Sequence, residues 1–242
     1  MRTFTIMNAL RTTVSVALAS MALLLASSAS AATTTQKRDL KGYTQIRLEG
    51  SLDLEIAEGS AYSFELTAKD SDQAGFLTEV EGDTLVIHTK PGFHWNFGEG
   101  AHARITLPEL RGIHIQGSGD VTVKSLTHVH DLDIQIQGSG DVDLTGSMAK
   151  ASVSIAGSGD VTFKGGSAQA LDVRTSGSGD VEAKDLTAKV VNVHTSGSGD
   201  ATVTVDGGPA DFSTSGSGDI DWWGDAKTVQ SHSSGSGDIS HH

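Results

Sequence analysis

A tetrapeptide, Gly-Ser-Gly-Asp, recurs seven times in this chain of 242 residues, starting at Gly117, Gly138, Gly157, Gly177, Gly197, Gly216 and Gly235. Successive copies lie 21, 19, 20, 20, 19 and 19 residues apart. So even a period restricts the chain to a solenoid, in which each repeat is one coil that buries its apolar face only by stacking on its neighbours. Around each copy the apolar residues fall at every second position. The second copy reads Leu132, Ile134, Ile136, Gly138, Gly140, Val142, Leu144, and the third keeps the parity with Val153, Ile155, Val161 and Phe163. That is the period of a strand with one buried face. Both glycines share the inward parity, while the serine and the aspartate point out.

The motif therefore reads as a corner between two strands, where an inward glycine leaves space and permits the positive φ of a sharp bend. One apolar residue per connector, such as Leu126, Met148 or Leu186, fills the core at a second corner. About 20 residues at roughly 3.3 Å each close one turn of a small cross-section, and seven coils paired in parallel at about 4.8 Å make a rod roughly 34 Å long. The expected fold is an all-β, parallel β-solenoid of about seven 20-residue coils with an irregular N-terminal β cap.

Residues 1–31 read as an export signal rather than structure: Arg2 and Arg11, a short apolar run, then Ala29-Ser30-Ala31 as the cleavage site. No later stretch is long and apolar enough to span a bilayer. With no cysteine there is neither a lipoprotein attachment site nor a disulfide framework. The signal holds two of the 17 basic residues and none of the 30 acidic ones, so the mature chain carries a net charge of −15. Such a balance disfavours nucleic acid and anionic membranes and favours solubility and cations.

Residues 32–42 are polar and expected to be a disordered linker; 43–110 form the cap and 111–242 the solenoid. Inside the cap, Ile46, Leu48, Gly50, Leu52, Leu54 and Ile56 alternate around Gly50-Ser51-Leu52-Asp53, a degenerate motif with leucine for the second glycine. Strand-like runs at 62–68 and 84–89 flank 70–80, which suits a short helix. A run at 103–107 leads into the first regular coil. Between these runs, Phe93, Trp95 and Phe97 alternate within flanking glycines. They form either a binding loop for a sugar or partner surface or an aromatic cover folded over the end of the core. At the other end Trp222 and Trp223, followed by inward Ser231 and Ser233, read as a polar closing coil, with His241 and His242 fraying.

The order of motifs resembles a known family. Ile-x-Leu-x-Gly-Ser-x-Asp-Leu-x-Ile at 46–56, Thr-Leu-x-Ile at 84–87, Ile-Thr-Leu-Pro-Glu-Leu at 105–110 and then the Gly-Ser-Gly-Asp repeats are similar to the putative autotransporter adhesin head domain, also called the head GIN domain. The resemblance covers nearly all of the mature chain. It implies a right-handed parallel β-helix in a bacterial envelope protein and brings no catalytic residues. With no translocating barrel in the sequence, the periplasm is the expected compartment and the cell surface the alternative.

Stacking turns each outward position into a column, and the motif aspartates make a continuous one: Asp120, Asp141, Asp160, Asp180, Asp200, Asp219 and Asp238. Neighbouring charges about 4.8 Å apart in water repel by roughly 0.9 kcal/mol, so something must offset the cost. Either each carboxylate accepts backbone N–H bonds at its corner, or the column is a cation ridge, with Ca²⁺ the fitting ion. The densest cluster is Asp160, Asp180, Glu182 and Asp200. His128 and His130 share one side of a connector and are candidate transition-metal ligands or plain exposed histidines. Serines flanking the motif glycines, Ser176, Ser196, Ser215 and Ser234 among them, form a flat hydroxyl array of the kind that binds ice or glycans, and the adjoining charged column argues against ice. His114, His194 and His232 share a column but stand two or more coils apart. No serine, histidine and acid converge as a unique catalytic cluster, because the motif is repeated almost without variation. The sequence therefore points to an exported, non-enzymatic, adhesin-like protein that binds an envelope protein or a glycan. Its alternative is a structural Ca²⁺-binding envelope protein.

Overall fold

Runs of alternating Val, Ile, Leu and Ala make strands because one face of each can be buried while the polar face meets water. The structure, a computed structural model, describes residues 32–93, 100–126 and 130–242. The strands before the first full motif are β1 (Thr33–Lys37), β2 (Gln45–Gly50), β3 (Asp53–Glu58), β4 (Ser63–Lys69), β5 (Phe76–Glu81), β6 (Thr84–Thr89) and β7 (His102–Leu107). The repeats supply β8 (Gly112–Gly117), β9 (Val121–Leu126), β10 (Asp131–Ile136), β11 (Val142–Ile155), β12 (Val161–Gly177) and β13 (Val181–Gly197). They finish with β14 (Ala201–Asp206), β15 (Pro209–Gly216), β16 (Ile220–Asp225), β17 (Thr228–Gly235) and β18 (Ile239–His241).

Each coil runs along one ladder, turns at the motif and returns along a second. The first ladder stacks β2, β8, β10, the second halves of β11 to β13, β15 and β17 in parallel; the second stacks β3, β9, the first halves of β11 to β13, β14, β16 and β18. The seven motif copies bound about six full turns of solenoid. Inward parity holds up to the closing coil, where β17 is exposed along its length: Ile134, Ile136, Val142, Leu144, Val153, Ile155, Val161 and Phe163 are all buried, and Leu126, Met148 and Leu186 fill the second corner. The core is a narrow column of aliphatic residues, widened by Phe64, Phe76, Phe163 and Phe212.

The degenerate copy is a true rung. Gly50 pairs in register with Gly117, so β2 and β3 form the coil beneath the first regular one. The chain then places β6 and β7 on the outer side of β2 and β3, again in parallel, before jumping back to β8. Beyond them the stack is closed by antiparallel strands, β5 on β6 and β4 on β7, with β1 outermost on β4. An antiparallel polar edge is a poor template for another coil, which is how a repeat stack is terminated.

Three expectations are corrected here. Residues 32–42 are not a disordered linker along their whole length, because β1 pairs with β4 over Thr33–Lys37. The threonines that made this stretch look merely polar are strand formers, and they find cross-strand partners: Thr35 meets Thr67 at 2.9 Å, and Lys37 meets Glu65 at 2.9 Å. The helix expected within 70–80 shrinks to one 3₁₀ turn over Gln73–Gly75, since Phe76 and the partly buried Val80 take a strand register against β6. At the far end His241 and His242 do not fray. Their rings stack on Trp222 at 3.7 Å and Trp223 at 4.7 Å, and Trp222 leans in turn on Phe212.

Candidate functional site

The motif corner is a three-column hydrogen-bond ladder along the rod. The backbone N–H of each motif serine donates to the carbonyl of the first glycine one coil back, at 2.7–2.9 Å. The residue after each aspartate but the last donates its N–H to the aspartate carbonyl one coil ahead, as Val142 does to Asp160 at 2.8 Å. In the third column the aspartate side chains take part. The N–H of every motif aspartate donates to Oδ1 of the aspartate one coil back, from Asp120 on Asp53 to Asp238 on Asp219, at 2.7–3.1 Å.

This answers how a continuous acid column is tolerated. A hydrogen bond to a charged acceptor contributes roughly 1.5–3 kcal/mol, more than the roughly 0.9 kcal/mol of repulsion between neighbours in water. The carboxylate caps the next coil rather than its own turn, so the ladder holds adjacent coils in register.

The glycines follow from the same geometry. A Cβ on the second motif glycine would stand 2.1–2.4 Å from a carbonyl oxygen one coil back, and one on the first glycine 2.0–2.2 Å. The first glycine also adopts φ from +143° to +155° at Gly117, Gly177, Gly197, Gly216 and Gly235. Leu52 escapes the rule because its coil has no motif corner beneath it, and its side chain turns into the core instead.

Asp160, Asp180 and Asp200 stand one per coil, each with Oδ1 bonded to the next backbone donor. Glu182 lies one column away between Thr162 and Thr202, beside Lys184, Asp185 and Trp223. Among the described residues no three carboxylate or imidazole groups converge closely enough to hold a metal ion. The lysines bypass the aspartate column: Lys164 meets Asp143 at 2.7 Å, Lys124 meets Glu55, and Lys184 sits over the Trp223 ring at 4.1 Å. Of the candidate aromatic loop, Phe93 is half-buried and packs edge-on against Phe76, centroids 5.9 Å apart. Trp95, Phe97 and His128 lie outside the described residues. His130 has Nε2 3.4 Å from the Glu109 carboxylate.

If the carboxylates act as caps, Asp180→Ala is expected to cost about 1 kcal/mol, because the lost bond to the Asp200 N–H is partly offset by the repulsion relieved with Asp160 and Asp200, while Asp180→Asn, which keeps an acceptor, stays within about 0.5 kcal/mol. Urea melts of both variants, with and without Ca²⁺, test this. A loss with Asp180→Asn that appears only when Ca²⁺ is present would mean that the column binds the ion.

Sequence reasoning missed Arg174. Counting three residues back from the first motif glycine places it with His194 and Ser213 on the outward face of the first ladder, and pairing confirms that they are neighbours in successive coils. Its side chain is exposed and, among the described residues, makes no hydrogen bond or ion pair; its one recorded partner is the field of Asp172. Burial by itself would raise the pKa of the Asp172 carboxyl, but the Asn192 amide, Lys150 and Arg174 together hold it below its usual range.

A family model described as "Putative auto-transporter adhesin, head GIN domain" matches residues 42–226. No match was found among curated protein sequences. Among solved structures, a putative adhesin from Bacteroides fragilis is 25% identical, with a TM-score of 0.82 over 88% of this chain and 98% of that one. A putative adhesin from Parabacteroides distasonis gives 19% and 0.65 over 88% and 98%. A putative lipid binding protein from the same species gives 21% and 0.63 over 87% and 96%. The last two likenesses concern the fold alone.

Proposed function

The chain belongs to the putative auto-transporter adhesin, head GIN domain family, and from that premise we propose that it is an exported, non-enzymatic β-solenoid that binds a partner in the bacterial envelope. What supports this reading is the character of its faces. The corner ladder holds repeated columns of hydroxyl, amide and acid groups at one fixed spacing, an extended regular surface. Catalysis needs a unique, pre-organised constellation, whereas recognition of a surface gains from rigid repetition because little order is lost on binding. The signal-like composition of residues 1–31 supports a location outside the cytoplasm, in the periplasm or at the cell surface.

The test is sedimentation of labelled full chain with envelope fractions of the producing cells. Saturable co-sedimentation that excess unlabelled chain competes away is the expected result. Recovery of the label in the supernatant at every envelope concentration would end the reading.

A further inference from the structure

One outward column of the first ladder reads Gln135, Ser154, Arg174, His194, Ser213 and His232 in consecutive coils. The outward column beside it, toward the motif corner, reads Ser176, Ser196, Ser215 and Ser234. Between them, over the middle coils, lies a groove of about 430 Å³, within the size range of small-ligand sites. From this geometry we propose that the groove binds a carboxylate-bearing glycan, with Arg174 as the anchor for the carboxylate. The proposal rests on the surface-binding reading above and names its ligand.

Arg174 is free because its neighbours are occupied. The Asp172 carboxylate is engaged on both oxygens, by the Asn192 amide at 2.6 Å and by Lys150 at 2.6 Å. The Arg174 guanidinium thus keeps its planar set of donors open, and these match a carboxylate in a two-point contact. One cation, beside an Asp172 already engaged by Lys150, balances a single negative charge. A phosphate dianion at the same place would leave charge uncompensated on a chain whose net charge is already −13, and −15 without residues 1–31.

The remaining groups suit a sugar chain. The Ser196 hydroxyl donates to the Thr175 carbonyl at 3.3 Å and keeps its lone pairs for an incoming donor. The hydroxyls of Ser154, Ser213 and Ser215 make no hydrogen bond among the described residues, and His194 adds a ring nitrogen. All stand on strands at a repeat of about 4.8 Å, so three coil spacings offer roughly 14 Å of fixed polar contacts. A single sugar ring would use only part of that length. The groove has no Phe, Tyr or Trp in its lining, so it lacks the stacking platform that would hold a neutral sugar, and the charged contact has to supply the selectivity.

Calorimetric titration of the full chain with trigalacturonate and with sialyllactose, each beside its neutral methyl ester, tests the proposal. At least one acid is expected to bind, with its ester at least tenfold weaker. Arg174→Gln should weaken the acid at least tenfold while leaving the melting temperature unchanged, and Ser154→Asp should do the same by occupying the guanidinium. Acid and ester titrating alike, Arg174→Gln titrating as the unmutated chain, inorganic phosphate competing as well as the glycan, or no heat from either acid at millimolar concentration would each overturn it. The envelope assay separates the two readings. Envelope binding that survives Arg174→Gln removes the groove and leaves surface binding, through a protein, standing; glycan binding without envelope binding does the reverse.

Discussion

Gly159→Val is expected to destroy a coil, lowering the melting temperature by about 10 °C or more, which corresponds to a loss of at least about 4 kcal/mol in a chain of this size. The reason is a carbonyl. A Cβ at 159 would lie 2.2 Å from the Gly140 oxygen and 3.0 Å from its carbon, and both belong to backbone that cannot rotate away. Gly159 is absent from the positive-φ glycines, so sterics alone are at stake there. Relief requires adjacent coils to separate at the corner. That would stretch the Ser158 N–H bond to Gly138 and the Asp160 N–H bond to Asp141, both now 2.8 Å, at about 1 kcal/mol for the first and roughly 1.5–3 kcal/mol for the second. The clash would also spread upward, since a Cβ on Gly179 already has the Gly159 oxygen 2.2 Å away. Ser158→Ala, on the exposed side, should stay within about 0.5 kcal/mol. A Gly159→Val protein that melts like Ser158→Ala would mean that the coils are not stacked this closely.

What the sequence made legible was whatever repeats. Period and parity give the coil, its inward residues and its two corners, because every copy reports the same geometry and errors average out over seven repeats. The irregular end was only partly legible. Strands at 63–69, 84–89 and 102–107 are visible as alternation, but nothing local says that β6 and β7 lie outside β2 and β3, since parallel pairing carries no turn signature. β1 was missed because an edge strand of threonines needs only hydrogen bonds and a partner, and has no buried face to reveal it. The aspartate ladder was half seen: the acceptor role is written in the residue type, but that the donor lies in the next coil depends on the stacking offset. Arg174 was overlooked for the opposite reason. It stands in a column of mixed residues, so only register counting, and not motif recognition, brings it beside His194 and Ser213.

Val153→Asp and Ser154→Asp form the sharpest test of that parity, because the two positions are consecutive and the same side chain is introduced at each. Val153 is 2% exposed and sits between Ile134 and Val173 in its column, with no polar side chain in line on either adjacent coil. A carboxyl there loses about 1.5–3 kcal/mol of apolar burial and must also be desolvated without a partner. A total of about 4 kcal/mol or more at pH 7 is expected. The desolvated acid should have its folded-state pKa raised above the unfolded value of about 3.9. Between those two values the folded state then binds more protons than the unfolded one, so stability falls as pH rises, by up to about 1.4 kcal/mol per unit. The deficit is therefore smallest below about pH 4 and grows toward neutrality, whereas Val153→Asn, which never ionises, should show a deficit that does not change with pH. Ser154→Asp points outward beside Arg174 and should fall within about 1 kcal/mol of the unmutated chain, on the favourable side if the new pair forms. Equal losses at 153 and 154, or a Val153→Asp deficit indifferent to pH, would mean that the carboxyl has reached water and that the buried face of the coil lies elsewhere.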